Sequence, residues 1–203
     1  MTDPPFDPLE TEFLSRRQVL TALGVTAVIL LVISTLWRKL GTIALFPWHW
    51  NWLAVLFGVG LGLGITGASS LVYRLWPSYR LSADFYLRLV LKPLNWFDLI
   101  WLGLLPGLSE ELLFRGVMLP ALGLNGFGLL ASSLCFGILH MNGWKQWPYA
   151  VWATCIGLLL GYSALATQNL LVPIIAHILT NLMSGLIWKF QHPDEEDVHP
   201  SVS

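Results

Sequence analysis

The sequence predicts an all-α membrane protein: a polytopic transmembrane helical bundle of about six spans with a polar intramembrane cavity. Three observations carry this. The 203 residues are 55% hydrophobic and only 11% charged, whereas a soluble domain carries about 25% charged residues. The apolar residues collect in runs of membrane-crossing length, closed by Arg, Lys or Trp. The few ionisable residues left inside those runs are of the types that chemistry uses. A net charge of −1 leaves no electrostatic footprint for nucleic acid. Cys135 and Cys155 form no CxxC pair and read as small core residues.

In chain order, residues 1–18 are polar and proline-bearing and read as an N-terminal tail. Arg16-Arg17 resembles a twin-arginine export signal, but no small-residue cleavage site follows the apolar run Val19 to Trp37, so that run is read as span one. Arg38 and Lys39 close it. Pro47 to Trp52 is an aromatic cluster suited to the headgroup level, with His49 an interfacial residue. Span two, from about Trp52 to Tyr73, holds Gly58, Gly60, Gly62, Gly64 and Gly67. Gly62 to Gly67 matches a dinucleotide-binding GxGxxG pattern only formally, since no strand precedes it. Gly58/Gly62 and Gly60/Gly64 are better read as GxxxG spacing for close helix packing.

Residues 74–95 carry Arg74, Arg80, Arg88 and Lys92, and Ser82 is the expected cap of a short amphipathic helix, Ala83 to Leu91, on the membrane surface. Span three begins near Trp96 and ends near Leu119-Pro120, with a weakness expected at Pro106-Gly107. The apolar segment from Gly126 to His140 is short for a fourth span and is expected to tilt or to stop at an internal water pocket. Spans five and six are about Trp147 to Leu165 and Leu170 to Trp188. Residues 190–203 are an acidic tail. If the N-terminus is inside, eight Lys and Arg fall on the cytoplasmic side and two outside, with Arg115 in the membrane. The positive-inside rule then puts both termini on the cytoplasmic side. The domain plan is therefore 1–18, tail; 19–95, two spans and a basic surface helix; 96–189, the core; 190–203, tail.

The core carries the unusual residues. Ser109 to Gly116 places Glu110, Glu111 and Arg115 within one apolar helix. Each would cost about 2.5–3.5 kcal/mol at the centre of a span if unpaired. Glu111 and Arg115 are i,i+4 with the acid first, the favourable order for a pair. Glu110 points about 100° away and stays free. His140, His177 and Asn181 are the other polar residues inside spans, and His177 and Asn181 share a helix face. A carboxylate and an imidazole can deprotonate a water, and a second imidazole with an amide can stabilise an oxyanion. Glu110, His140 and His177 could instead hold Zn2+ with one open position. Singly, each group has a structural reading, as an ion pair, an interfacial histidine or an interhelical hydrogen bond.

Taken in order, Glu110-Glu111-x-x-x-Arg115, Phe136-x-x-x-His140 and His177-x-x-x-Asn181 resemble the motifs of the CAAX prenyl protease and bacteriocin-processing (Abi) family of intramembrane endopeptidases. The resemblance implies that residues 96–189 are a catalytic core whose polar groups face a cavity. It implies peptide hydrolysis by a water held near Glu110 and His140, with His177 and Asn181 beside the oxyanion, by a metallo- or a glutamate-type mechanism. The implied substrate is a membrane-embedded or lipidated peptide or protein in a bacterial inner membrane or a thylakoid-like membrane. Two other readings compete. One is a non-catalytic scaffold on the same fold. The other is a serine protease using Ser109 with His177, which leaves Glu110, His140 and Asn181 without roles.

Overall fold

A computed structural model describes residues 14–193 except residue 142. Readings that fall on residues 1–13 and 194–203, including most of both tails, lie outside the described residues. No strand occurs among the described residues. The helices are α1 (Arg16–Leu40), α2 (Trp52–Leu75), α3 (Pro77–Leu91) and α4 (Asp98–Glu111). A π-helical stretch, Leu112–Met118, then leads directly into α5 (Leu119–Leu122). They are followed by α6 (Gly126–Leu139), a 3-10 turn at Trp144–Gln146, α7 (Trp147–Thr167) and α8 (Leu171–Gln191). Four segments are long and apolar enough to cross a membrane: Arg16–Leu40, Trp52–Leu75, Trp144–Thr167 and Leu171–Gln191. The protein is an integral membrane helical bundle. Between these four lie the shorter pieces. α6 has 14 residues, about 21 Å at the helical rise and less than a hydrocarbon core of about 30 Å.

Local chemistry sets the helix starts. Ser15 and Gln18 form a capping box on α1. Asn51 accepts from Ala54 N at 2.7 Å, and Asn125 accepts from Phe127 N and Gly128 N at the start of α6. α3 differs from expectation. It begins five residues before Ser82, at Pro77, whose fixed φ and missing N–H suit the first helical position. Ser82 is buried and back-bonds to Ser78 O instead of capping.

α8 is the central helix, and glycines place it there. A Cβ on Gly58 would lie 2.7 Å from Ile175 Cβ, and one on Gly62 would lie 2.9 Å from Ala176 O. On another face of α8, a Cβ on Gly107 would lie 2.5 Å from Ile178 Cγ1 and 3.1 Å from its backbone N. α2 and α4 thus both approach the α8 backbone as only glycine allows. Gly60 and Gly64, expected to pack in the same way, face open space. Two residues turn a helix by about 200°, so this pair points away from α8. The weakness expected at Pro106-Gly107 does not break the helix: α4 runs through Pro106, and Gly107 serves the crossing with α8. The irregularity lies after the glutamates, in the π-helical stretch.

Pro120 explains how the far end of the bundle is tied down. It has no N–H to offer Gly116 O, four residues earlier. Phe46 N, from the connection between α1 and α2, donates to that carbonyl at 2.9 Å. Leu170 N donates to Pro47 O at 2.8 Å, and the Asn169 amide bonds both His49 N and His49 O. At the other end, Arg16 makes two 2.7 Å bonds to buried Asp98, joining the starts of α1 and α4. Lys189, near the end of α8, lies within electrostatic reach of Asp98. Cys135 and Cys155, expected in the core, are exposed.

Candidate active site

The crossing of α4 on α8 puts Glu111 beside His177. Gly107 sits against Ile178, so the next turn of α4 brings Glu111 to the neighbouring residue, His177. Glu111 and Arg115 are both fully buried, and Arg115 Nη1 donates to Glu111 Oε1 at 2.7 Å. The same oxygen accepts from His177 Nδ1 at 2.8 Å. Arg115 Nη2 donates to Gly157 O of α7 at 2.9 Å, and its guanidinium lies 4.4 Å from the centre of the Phe136 ring. This corner binds α4, the π-helical stretch, α6, α7 and α8 to one another. Glu111 Oε2 and Arg115 Nε are left without partners.

The second group is unlike the first. Glu110 is 7% exposed and its Oε2 has no hydrogen-bond partner. That oxygen faces His140 Nε2 at 3.7 Å, too far for a direct bond. His140 caps α6 at its C-terminus, where helix carbonyls lose their donors. Its backbone N–H turns to Gly137 O and Ile138 O, which frees Phe136 O. The ring Nδ1 lies 2.8 Å from that carbonyl. A carbonyl can only accept, so Nδ1 carries a proton and, in the neutral ring, Nε2 presents a lone pair towards Glu110. Phe136 is thus more than a motif spacer. It orients His140 through its carbonyl, touches that ring at 4.6 Å, and supports Arg115 with its own ring.

Glu110, His140, His177 and Asn181 line one cavity of about 780 Å³, enclosed by α1, α2, α3, α4, α7 and α8. α6 ends at this cavity, as its length suggests. The Asn181 side chain makes no hydrogen bond among the described residues, leaving its amide available to an occupant. Glu110, His140 and His177 are not gathered as zinc ligands: among the described residues no three His, Cys, Asp or Glu form a group that could hold a metal ion. His177 spends Nδ1 on Glu111, and His140 spends Nδ1 on Phe136 O. Ser109 is buried and donates to Leu105 O at 2.7 Å, so it is not presented as a nucleophile for His177. Tyr86 and Tyr149 also line the cavity. Neither carries a motif, and aromatic residues near a membrane surface read as interfacial.

The fold and the site define the class: an integral membrane helical bundle that encloses a buried acid–imidazole pair in a cavity. Residues 92–183 match the family model of type II CAAX prenyl endopeptidases, Rce1-like. That stretch contains all seven residues of the three motifs. Over 103 residues the chain is 35% identical to the uncharacterized protein YpbD of Bacillus subtilis (strain 168), covering 50% of this chain and 52% of YpbD. The chain thus spans about half the length of the curated relative it matches. No solved structure matches.

Proposed function

We propose that the protein is an intramembrane endopeptidase in which Glu110 and His140 together hold and deprotonate the attacking water. The observation that carries this reading is the pair of unfilled acceptors, Glu110 Oε2 and His140 Nε2, 3.7 Å apart. Two acceptors cannot bond each other, but a water has two O–H groups. A water about 2.8 Å from each would donate to both. Its oxygen lone pairs then point away from the pair, into the cavity, where the carbonyl carbon of a peptide would sit. Attack moves one proton to Glu110, and Glu110 returns it to the leaving amine.

His177 and Asn181 take the other side of the reaction. As an imidazolium with Nδ1–H on Glu111, His177 would present Nε2–H to the cavity. Asn181, one turn further along α8, adds its amide N–H. Together they would meet the negative oxygen of the tetrahedral intermediate. Glu111 and Arg115 do not touch the substrate in this reading; they fix the His177 ring. No step is routed through zinc, because the side chains do not gather three donors.

The substrate class follows from the matched family, whose description names CAAX prenyl endopeptidases: a lipidated or membrane-embedded peptide. The test is cleavage of a quenched fluorescent farnesylated peptide by the purified protein, with Glu110→Gln as control. Equal cleavage by the Glu110→Gln protein would sink the mechanism. If Glu110→Gln keeps the cellular phenotype of the wild type, a scaffold role is the better reading.

Topology belongs to the same proposal. Arg16 and Lys189 both lie close to Asp98, at one end of the bundle. This supports both termini on one side, and the excess of Lys and Arg makes that side cytoplasmic. A reporter fused after Ser203 should report the cytoplasm; an external reporter would reverse the orientation.

A further inference from the structure

One wall of the cavity has no part in the mechanism above. Tyr86 of α3 and Tyr149 of α7 stack with ring centroids 4.8 Å apart and planes 27° from parallel. Tyr149 also stacks on Tyr79 at 6.1 Å and lies 6.3 Å from the His140 ring. Tyr79 in turn contacts Trp76 and Trp152. These rings dock α3 against α7 and hold the two tyrosines next to the acid–imidazole pair. Both tyrosines lie within electrostatic reach of Glu110.

The hydroxyls of the pair are unspent. Tyr73, elsewhere on the cavity wall, spends its hydroxyl on Asp84 at 2.6 Å. Tyr86 and Tyr149 have no such partner among the described residues. A polar group facing a largely apolar cavity needs a partner from whatever fills it. A peptide entering that cavity has the complementary need. Its backbone carbonyls leave water, and the surrounding helices have spent their own N–H groups internally. Burial and the Glu110 carboxylate push the Tyr86 phenol up to about 12, on a helix outside the four candidate spans. The phenol therefore keeps its proton at working pH and acts as a donor, not as a base.

We propose that Tyr86 and Tyr149 form a hydroxyl pair that holds a backbone carbonyl of the peptide substrate, setting its scissile bond beside Glu110 and His140. This rests on the endopeptidase reading. The two tyrosines are positioning residues: they touch the substrate away from the reacting atoms. Tyr86 lies outside residues 92–183, so this part of substrate recognition comes from a segment that the family model does not cover.

The experiment uses Tyr86→Phe and Tyr149→Phe, which keep the rings and remove only the hydroxyls. Two readouts separate the proposal from the reading beneath it. The first is binding of a fluorescein-labelled farnesylated peptide, followed by anisotropy, on the full-length Glu110→Gln protein in detergent. The second is kcat and KM for the quenched peptide on proteins that retain Glu110. Each Phe variant should raise Kd and KM about three- to tenfold, the loss of one hydrogen bond, with kcat within about twofold. Thermal midpoints should not move. Unchanged Kd and KM in both variants would overturn the proposal. So would a fall in kcat at constant KM, or no peptide binding by the Glu110→Gln protein with both tyrosines present. If the wild type does not cleave the peptide, the endopeptidase reading fails alone, and the binding series still decides the tyrosines.

Discussion

Adjacent glutamates on one helix have opposite surroundings. Glu111 Oε1 accepts from a guanidinium and an imidazole at 2.7 and 2.8 Å, inside a corner that no solvent reaches. Glu110 opens onto the cavity, with one oxygen unpartnered and the nearest imidazole nitrogen at 3.7 Å. The same side chain thus ties helices together at one position and faces the cavity at the next. A rotation of about 100° per residue makes the difference.

The comparison breaks most sharply at Glu110. Glu110→Gln keeps size and one acceptor but cannot take a proton. Peptide cleavage should fall by about 10³ or more, towards the upper range for a general base, while the thermal midpoint stays where it was. A large fall in the midpoint would mean that Glu110 is structural like its neighbour. Arg115→Ala should do the reverse. It leaves Glu111 charged and without its cation in a water-free corner, a loss of about 3–5 kcal/mol in comparable buried pairs. Detergent-solubilised protein should melt much earlier and accumulate poorly; a normally stable Arg115→Ala protein would show that the corner is not a tie.

The remaining tests sharpen the boundary between the two groups. His177 belongs to both, through Nδ1 on Glu111 and through its position on the cavity. His177→Ala and Asn181→Ala should each lower kcat by about 10²–10³ with little change in KM, as removal of an oxyanion donor does. A mainly raised KM would assign them to substrate binding. The smallest expected effect is that of chelation. Protein shown by metal analysis to be metal-free should cleave the peptide at an undiminished rate, since Glu110, His140 and His177 are not gathered as ligands. Activity lost with the metal and restored by zinc would replace the water mechanism with a metal one.

The sequence made local relations legible and left distant ones hidden. The Glu111–Arg115 bond follows from i,i+4 spacing on one helix, and the 2.7 Å contact is that bond. The His177–Glu111 bond joins residues 66 apart, and no periodicity within a helix encodes which face meets a distant one. GxxxG spacing located Gly58 and Gly62 but could not tell them from Gly60 and Gly64, because spacing alone does not say which face has a neighbour. Pro106-Gly107 read as a weakness from backbone chemistry, whereas the tertiary need was a smooth surface for α8. Tyr86 was invisible for a related reason. On an amphipathic helix its ring looks like an interfacial anchor until α3 is docked on α7.

The central place of α8 also bears on biosynthesis. It is the last helix among the described residues, and His177 follows Glu111 by 66 residues, so during synthesis the buried corner lacks His177 until α6 and α7 have been made. At about 5–20 residues per second, several seconds separate the emergence of Glu111 from that of His177. Throughout that interval Arg115, four residues away, is already at hand to neutralise Glu111, so the carboxylate can enter the bilayer without waiting for its histidine. The Glu111 corner can therefore be inserted early and is closed only when α8 emerges. A truncated product lacking α8 would hold Glu111 by Arg115 alone and leave the glycine faces of α2 and α4 without the backbone they fit.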